Sequence, residues 1–360
     1  MSNEISYKQL IAFHPGSYVE EIVDELNITQ NEFAERLGTS SKTLSKIING
    51  EERISTDVAN KLAKTTGVSI KTWLNLQATY DAKLIEIEDM QDEDEKRACE
   101  LIDFSYFKTH NLVEKRRYSI NEKIKELRKL LNLSNLSMLY EFNNAVSYRN
   151  TREFDEKSIV NSNVMLELAI DVARNGTDRK YDKQKLENCL PEIRKMTTES
   201  PEKFFPHLKQ ILLECGIVLV GLPKLQNANL NGATKKFKNG SVLLLITDRN
   251  KKADIFWFSL IHELGHIYNK DFYTDYHDIE RYKKKEKEAD LFAQNFFIPR
   301  EKYDKFIASG VFTETVILKF AEELEILPSI LIGRLENEGY VQHHEYSHLK
   351  PSYSVSLSSQ

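Results

Sequence analysis

Apolar residues near the amino terminus recur at helical spacing. Phe33, Ala34 and Leu37 would occupy one face of a helix that begins after Thr29. Thr29 and Glu32 have the spacing of a capping box, in which each side chain bonds the backbone N–H of the other residue. The pattern therefore predicts a helix that begins at Gln30 and ends near Leu37.

A second amphipathic block follows a short interruption. Residues 38–40, Gly-Thr-Ser, break the pattern as a tight turn between helices would, and Leu44, Ile47 and Ile48 then return at helical spacing. Residues 49–50, Asn-Gly, end this second helix. The two short helices predict a helix-turn-helix unit, whose second helix fits the major groove of DNA.

The outward positions of this unit are polar and suit contacts with DNA. Hydroxyl and amide groups bond phosphates or base edges, and lysines supply charge. The candidate DNA contacts are Gln30, Ser40, Ser41, Lys42, Thr43, Ser45 and Lys46. Residues 1–80 hold 8 Lys/Arg against 10 Asp/Glu, however, whereas DNA-binding domains are usually basic. A helical domain that binds protein instead of DNA therefore stays open as an alternative.

A resemblance to a known family covers residues 14–80, which are similar to the HigA-type antitoxins, a branch of the repressor-like helix-turn-helix proteins. The matching positions include Pro15-Gly16, Thr29-Gln30, Phe33-Ala34, Leu37-Gly38, Leu44-Ser45, Ile48-Asn49-Gly50, Leu62-Ala63 and Trp73-Leu74. The resemblance implies a regulator that binds a palindromic operator in double-stranded DNA as a homodimer. It also implies a cognate toxin as a possible protein partner.

Short apolar runs appear in the second half of the chain and predict strands. Residues 216–221 and 241–246 are bounded by turn residues, and residues 232–237, followed by Asn239-Gly240, predict a hairpin into the second run. The edge of such a sheet could bind an extended peptide by strand addition.

An apolar run at residues 255–268 contains the sequence His-Glu-Leu-Gly-His. His262 and His266 are four residues apart, so they lie about 40° apart on one helical face and can share one Zn²⁺. Glu263 would then sit beside the metal, where it can take a proton from water. Chance occurrence of the three residues in a helix without a metal is the competing interpretation.

A third metal ligand is expected from the helix predicted over residues 285–298, which Pro299 ends. Glu286 shares a face with the small residues Ala289 and Ala293, whereas Glu288 lies about 200° away around the helix. We favour Glu286 as the ligand, with Glu288 as the alternative. Asp290, on the same face as Glu286, would accept a ring N–H from a ligand histidine.

The motif and the downstream pattern Glu-Lys-Glu-Ala-Asp-x-Phe-Ala together resemble the ImmA/IrrE family of metallopeptidases, a gluzincin-like group. The resemblance implies that His262, His266 and Glu286 hold the metal and that Glu263 is the general base. Members of this family are implicated in cutting a partner transcriptional repressor. No Tyr or His can be assigned from the sequence as the group that stabilises the oxyanion.

Composition adds limits to this picture. The chain has 360 residues, a hydrophobic content of 41% and a formal net charge of −5, which predict two or three globular domains. The three cysteines, Cys99, Cys189 and Cys215, lack metal-binding spacing and fit a reducing cytoplasm. No signal peptide and no apolar run of about 18 residues is present. We expect a cytoplasmic protein that does not associate with membranes.

The predicted fold is mainly α with a small β-sheet, an α+β zincin-like C-terminal domain following an all-α helix-turn-helix domain. The predicted divisions are a DNA-binding domain at 1–82, a helical linker or regulatory region at 83–200, a metallopeptidase domain at 201–309, and a helical segment with a tail at 310–360. His343, His344 and His348 are expected to lie exposed in that tail.

Three functions fit these observations. The first is a DNA-binding transcriptional regulator with a zinc-dependent endopeptidase that cuts itself or a partner repressor. The second is a repressor whose metal domain only senses or stabilises. The third is an antitoxin-like module that neutralises a toxin. Metal-dependent cleavage, metal-dependent operator binding without cleavage products, and a stable toxin complex distinguish them.

Overall fold

The computed structural model describes residues 4–141, 155–272 and 279–355. The chain separates into two compact units, Met1–Glu95 and Lys96–Gln360. The four-part division at residues 82, 200 and 309 stays a prediction. Residues 142–154 of the predicted linker and residues 356–360 of the predicted tail lie outside the described residues.

The first unit contains the predicted helical pair within a larger set of helices. Its elements are β1 (Glu4–Tyr7), β2 (Leu10–Phe13), α1 (Gly16–Glu25), α2 (Gln30–Leu37), α3 (Ser41–Ile48), α4 (Thr56–Thr66) and α5 (Ile70–Leu101). The antiparallel hairpin β1–β2 adds strands to a unit predicted to be all-α. The hydrophobic pattern did not indicate this hairpin because its apolar side chains, such as Ile5 and Phe13, are largely exposed.

The core of the first unit is formed by the apolar faces that the sequence predicts. Phe33, Leu44, Leu62 and Trp73 are almost completely buried in one cluster. At Gly16 a Cβ atom would collide with the carbonyl oxygen of Ile47, so a glycine is required for the close approach of α1 to α3. The two helices of the helix-turn-helix unit are therefore fixed by packing on both sides of the turn.

The second unit combines ten helices of the described residues with a small sheet. The helices are α6 (Phe104–Thr109), α7 (Ile120–Leu131), α8 (Glu156–Arg174), α9 (Lys183–Lys195), α10 (Pro201–Glu214), α11 (Ala253–Tyr268), α12 (Ile279–Phe297), α13 (Arg300–Ala308), α14 (Glu314–Glu323) and α15 (Pro328–Asn337). The strands are β3 (Ile217–Leu222), β4 (Gly232–Lys236) and β5 (Val242–Thr247). The mainly α fold with small sheets is confirmed.

The three strands lie in the order β3-β5-β4. The strand β5 is central, parallel to β3 and joined to β4 by the predicted antiparallel hairpin. Alternate residues of β5 belong to two different cores, with Leu244 facing the helices α10 and α11 and Leu243 facing α7 and α8. Burial of both faces of the sheet explains why β3 and β5 are continuous apolar runs.

The segment after α15 returns to the beginning of α11. Ala253 donates its backbone N–H to the carbonyl of Pro351, and Tyr353 donates to the carbonyl of Lys251. This attachment differs from the free tail expected for the end of the chain, although His343, His344 and His348 are exposed as predicted. Within the described residues, the structure contains no helix that is both long and apolar enough to span a membrane.

Candidate metal centre and nucleic-acid interface

The helix α11 presents the predicted motif at a buried position. No helix breaker interrupts residues 253–262, and Asp254 lies in the first turn, where an acidic side chain is favourable. His262, Glu263 and His266 are 9%, 1% and 2% exposed. Three polar side chains at this depth are costly unless they have partners, so their surroundings decide what they do.

Glu286 on α12 faces both histidines. Its two carboxylate oxygens lie 3.3 Å from His262 Nε2 and 3.3 Å from His266 Nε2, and the two Nε2 atoms lie 3.1 Å apart. Among the described residues, His262, His266 and Glu286 are the only set of three or more His, Cys, Asp or Glu side chains close enough together to hold a metal ion. Glu288 lies outside this group, and its nearest cation is Lys284 at 4.0 Å.

Asp290 fixes the orientation of one imidazole. Its Oδ1 accepts a hydrogen bond from His262 Nδ1 at 2.8 Å. An ionised carboxylate can only accept, so this contact favours the tautomer with its proton on Nδ1, in which Nε2 is free to face His266 and Glu286 as a ligand atom. This contact is the one the helical spacing predicts for Asp290.

Small residues allow α12 to approach α11 closely. A Cβ atom on Gly265 would lie 3.3 Å from Ala289 Cα and 3.1 Å from Phe292 Cδ1. Ala289 and Ala293 are completely buried on the facing surface. The close approach brings the Glu286 carboxylate within reach of the two imidazoles.

A glycine on the neighbouring strand makes room for Glu263. At Gly232, the first residue of β4, a Cβ atom would lie 2.7 Å from Glu263 Cγ and 3.0 Å from the carbonyl oxygen of Leu245. The sequence pattern places Gly232 only in a hairpin strand. Its role depends on a contact between a strand and a helix, for which one sequence carries no local signal.

A cleft of about 250 Å³ opens beside these side chains. Its lining consists of Asn229, Asn231, Arg249, Phe258, Ser259, His262, Glu263, Glu286 and Asp290. Sequence reasoning did not find Asn229, Asn231 and Ser259, because isolated Asn and Ser residues in loops and helices carry no motif. No motif marks Arg249 either, since it lies in the loop before α11.

Among the described residues that line this cleft, Arg249 is the only lysine or arginine. Its side chain makes no hydrogen bond or ion pair with the described residues. Burial lowers the pKa of the guanidinium below its ordinary value, and no neighbouring charge opposes this shift. An arginine nevertheless stays protonated at neutral pH, so the cleft contains a positive charge that makes no ion pair with the described residues.

In the first unit, the polar surface of α3 is arranged largely as predicted. Gln30, Ser40, Ser41 and Lys42 are exposed, and Thr43, Ser45 and Lys46 are partly exposed. Ser40 caps α3, since its hydroxyl accepts the Thr43 backbone N–H at 3.1 Å. The Thr43 hydroxyl also pairs with that of Ser40 at 2.9 Å, and Ser45 accepts from Asn49 at 3.3 Å. Ser41, Lys42 and Lys46 lie on the outer surface of α3.

The predicted capping box at α2 is only half formed. Thr29 Oγ1 accepts the Glu32 backbone N–H at 3.2 Å. The Glu32 carboxylate instead accepts from Arg36, 2.6 Å away, because the residue one turn later offers a charged partner on the exposed face. The helix begins at the predicted residue in either case.

Comparison with known families assigns each unit. A family model described as helix-turn-helix matches residues 19–73, and a model described as IrrE N-terminal-like domain matches residues 224–336. The first match covers α2 and α3, and the second covers β4, β5, α11 and α12. Both agree with the resemblances drawn from the motifs.

Relatives in sequence match the amino-terminal part. Over 66 residues the chain is 35% identical to the uncharacterized HTH-type transcriptional regulator YddM of Escherichia coli K12, covering 18% of this chain and 70% of that protein. Over 69 residues it is 42% identical to virulence-associated protein A' of Dichelobacter nodosus, covering 19% of this chain and 60% of that protein.

A solved structure is also similar to this part. The structure of a HigA-family addiction module antidote protein from Coxiella burnetii is 35% identical, covers 20% of this chain and 80% of its own, and has a TM-score of 0.20.

Proposed function

This chain belongs to the HTH-type transcriptional regulators and carries an IrrE N-terminal-like domain, and we propose that it is a sequence-specific DNA-binding regulator with a zinc-dependent endopeptidase. Residues 1–82 would bind DNA and residues 201–309 would cleave a regulatory protein. The observation that carries the proposal is the convergence of His262, His266 and Glu286 beside the buried Glu263 in one cleft.

The donor set fits zinc. Ligand atoms of a tetrahedral zinc site at about 2.0–2.1 Å from the metal lie about 3.3 Å from one another. The two Nε2 atoms are 3.1 Å apart, and each lies 3.3 Å from an oxygen of Glu286. Two imidazoles and one carboxylate also leave a fourth position open, as catalytic zinc sites require.

Each side chain has a distinct role in peptide hydrolysis. Bound by His262, His266 and Glu286, a zinc ion would supply Lewis acidity and lower the pKa of water to about 7. Glu263 takes a proton from the water that attacks the peptide carbonyl and delivers it to the leaving amine. Asp290 holds His262 in the tautomer that a metal ligand needs.

The shape of the cleft favours cleavage within a chain. Asn231 and Ser259 also line two further cavities, of about 460 and 490 Å³, next to the central cleft. One contains the apolar side chains of Ile255 and Phe297, and the other contains those of Phe204 and Phe205. The two adjoining cavities offer room for an extended peptide that continues past the scissile bond. The substrate is therefore an internal segment of a protein, such as a partner repressor or this chain itself.

A variant of the general base tests the proposal. Glu263→Gln should keep zinc and abolish cleavage, because the amide cannot accept the proton of the attacking water. Cleavage is measured by labelling the new protein amino termini that form in a lysate incubated with the zinc-loaded protein. Glu288→Gln, an acid on α12 outside the cluster, is the matched control and should retain the wild-type pattern.

Either of two results would count against this function. Full cleavage by Glu263→Gln would overturn the base assignment. If no zinc-loaded protein produces new amino termini, the metal domain is a sensor or a structural element and the chain is a repressor without proteolysis.

For the DNA-binding part we propose a homodimer on a palindromic operator. Proteins with this motif place the two recognition helices in major grooves about one helical turn apart. Footprinting on operators selected from random DNA should give two symmetric half-sites. A footprint without two-fold symmetry would contradict the dimer.

A second candidate function rests on the resemblance of residues 14–80 to antitoxins. In that case the chain also neutralises a toxin, and co-purification would yield a stable complex of the two proteins. Such a complex, together with full repression by Glu263→Gln, would favour this function over proteolysis.

A further inference from the structure

The loop that carries Arg249 is fixed on both sides. Asp248 Oδ1 accepts the backbone N–H of Lys224 at 2.7 Å, and its Oδ2 accepts that of Val355 at 3.1 Å. The backbone N–H of Lys251 bonds the carbonyl of Asp248 at 3.0 Å. The residue next to Arg249 is thus held by the segment before β4, by its own loop and by the end of the chain. The backbone beside Arg249 is held in place, whereas its guanidinium makes no hydrogen bond or ion pair with the described residues.

A second polar group in the cleft also lacks a partner. The side-chain oxygen of Asn231 is buried and accepts no hydrogen bond among the described residues. Asn231 borders the central cleft and both flanking cavities. Buried polar groups are normally satisfied, so the Asn231 oxygen, in the same cleft as the half-buried Arg249, indicates a group that a ligand completes.

We propose that Arg249 binds the carbonyl oxygen of the scissile peptide bond and stabilises the negative charge that develops on it, while Asn231 accepts a backbone N–H of the same peptide. The inference rests on the proposed endopeptidase function. It supplies the oxyanion-stabilising group that the sequence left unassigned.

Beside the metal ion that the site would hold, a second cation in the cleft would favour the charge that develops during cleavage. Water forms a bond to the carbonyl carbon and gives a proton to Glu263, and the carbonyl oxygen acquires negative charge. The bond from carbon to nitrogen then breaks, and the proton leaves with the amine. Glu263, Glu286 and Asp290 line the same cleft and disfavour this charge, whereas a guanidinium held without a competing ion pair favours it.

The test uses the full-length protein loaded with Co²⁺, whose visible spectrum reports directly on ligands at the metal. Inorganic phosphate serves as a tetrahedral oxyanion, and acetohydroxamate serves as a chelator that depends mainly on the metal. Arg249→Gln should weaken phosphate binding about ten-fold or more, because a charge-assisted bond is lost, while acetohydroxamate binding changes little. Arg249→Lys should lose less, and Arg300→Gln, exposed on α13, should match the wild type.

The outcomes separate this inference from the proposed function. Equal phosphate affinity for Arg249→Gln and wild type, with an intact cobalt spectrum in both, would overturn the role of Arg249 and leave the metal centre in place. A wild-type protein that gives no cobalt spectrum would overturn the metal centre and the inference with it. With a cleavable substrate, Arg249→Gln should reduce kcat about 100-fold, with a smaller change in KM.

Discussion

At the candidate metal centre, the positions of the individual side chains follow from the helical geometry of α11 and α12. The four-residue spacing of His262 and His266, and the faces of Glu286 and Asp290, are properties of one helix each. The sequence could therefore predict which residues meet. Gly232, Asn231 and Arg249 lie on a strand and on loops that come near α11 only through the tertiary fold, so no local pattern marks them.

The contact between Gly232 and Glu263 leads to a prediction at this scale. Gly232→Ala should lower cleavage more than ten-fold while zinc stays bound, because the added methyl group would lie 2.7 Å from Glu263 Cγ. Activity and zinc content are measured on the same sample. Gly176→Ala, where a Cβ atom would lie 2.9 Å from Val218 Cγ1 at a position that does not line the cleft, is the control. Wild-type cleavage by Gly232→Ala would show that Glu263 does not need this space.

At the scale of elements, the helices and strands with a buried apolar face could be predicted, because burial imposes the periodicity. The strands β3 and β5 and the helices α2, α3, α11 and α12 are of this kind. The hairpin β1–β2 could not be predicted, since its apolar side chains are mostly exposed. The attachment of residues 350–353 to α11 joins positions about 100 residues apart, for which charge and spacing give no signal.

The recognition helix α3 carries a prediction about DNA binding. Lys42→Ala and Lys46→Ala should each weaken binding to all DNA sequences by a similar factor and reduce the salt dependence by about one phosphate contact. Fluorescence anisotropy over a range of salt concentrations measures both. Lys64→Ala, exposed on α4, serves as the control. An unchanged salt dependence in both α3 variants would place the DNA on another surface.

The end of the chain carries a prediction about stability. Lys350 Nζ lies 2.9 Å from Asp254 Oδ2 and 2.6 Å from Glu336 Oε2, and all three side chains are at most 8% exposed. Burial opposes the charge of Lys350, but bonds to the two carboxylates hold its pKa above the ordinary value.

Lys350→Met would leave both carboxylates buried without their cation. The free energy of unfolding should fall by about 3–5 kcal/mol, measured by urea titration. Lys319→Met, exposed on α14, should change it little. Equal stability of the two variants would show that the buried ion pairs do not hold the segment in place.

At the scale of the whole molecule, the helix-turn-helix pattern lies in one compact unit and the His-Glu-x-x-His motif lies in the other. Each motif could be interpreted by itself, because a helix-turn-helix and a His-Glu-x-x-His helix are both short. Any link between the proposed operator binding and the proposed proteolysis would depend on the substrate and partner, which no local pattern specifies. Both the proposed proteolysis and the proposed role of Arg249 depend on whether the centre on α11 and α12 holds a metal.

Zinc content of the purified protein tests this claim most directly. The wild type should contain about one zinc per chain, and His262→Ala should lose it. His343→Ala, which removes an exposed histidine, should keep the wild-type content. A wild-type protein that takes up no zinc when zinc is offered, or a His262→Ala variant that keeps all of it, would contradict the metal centre.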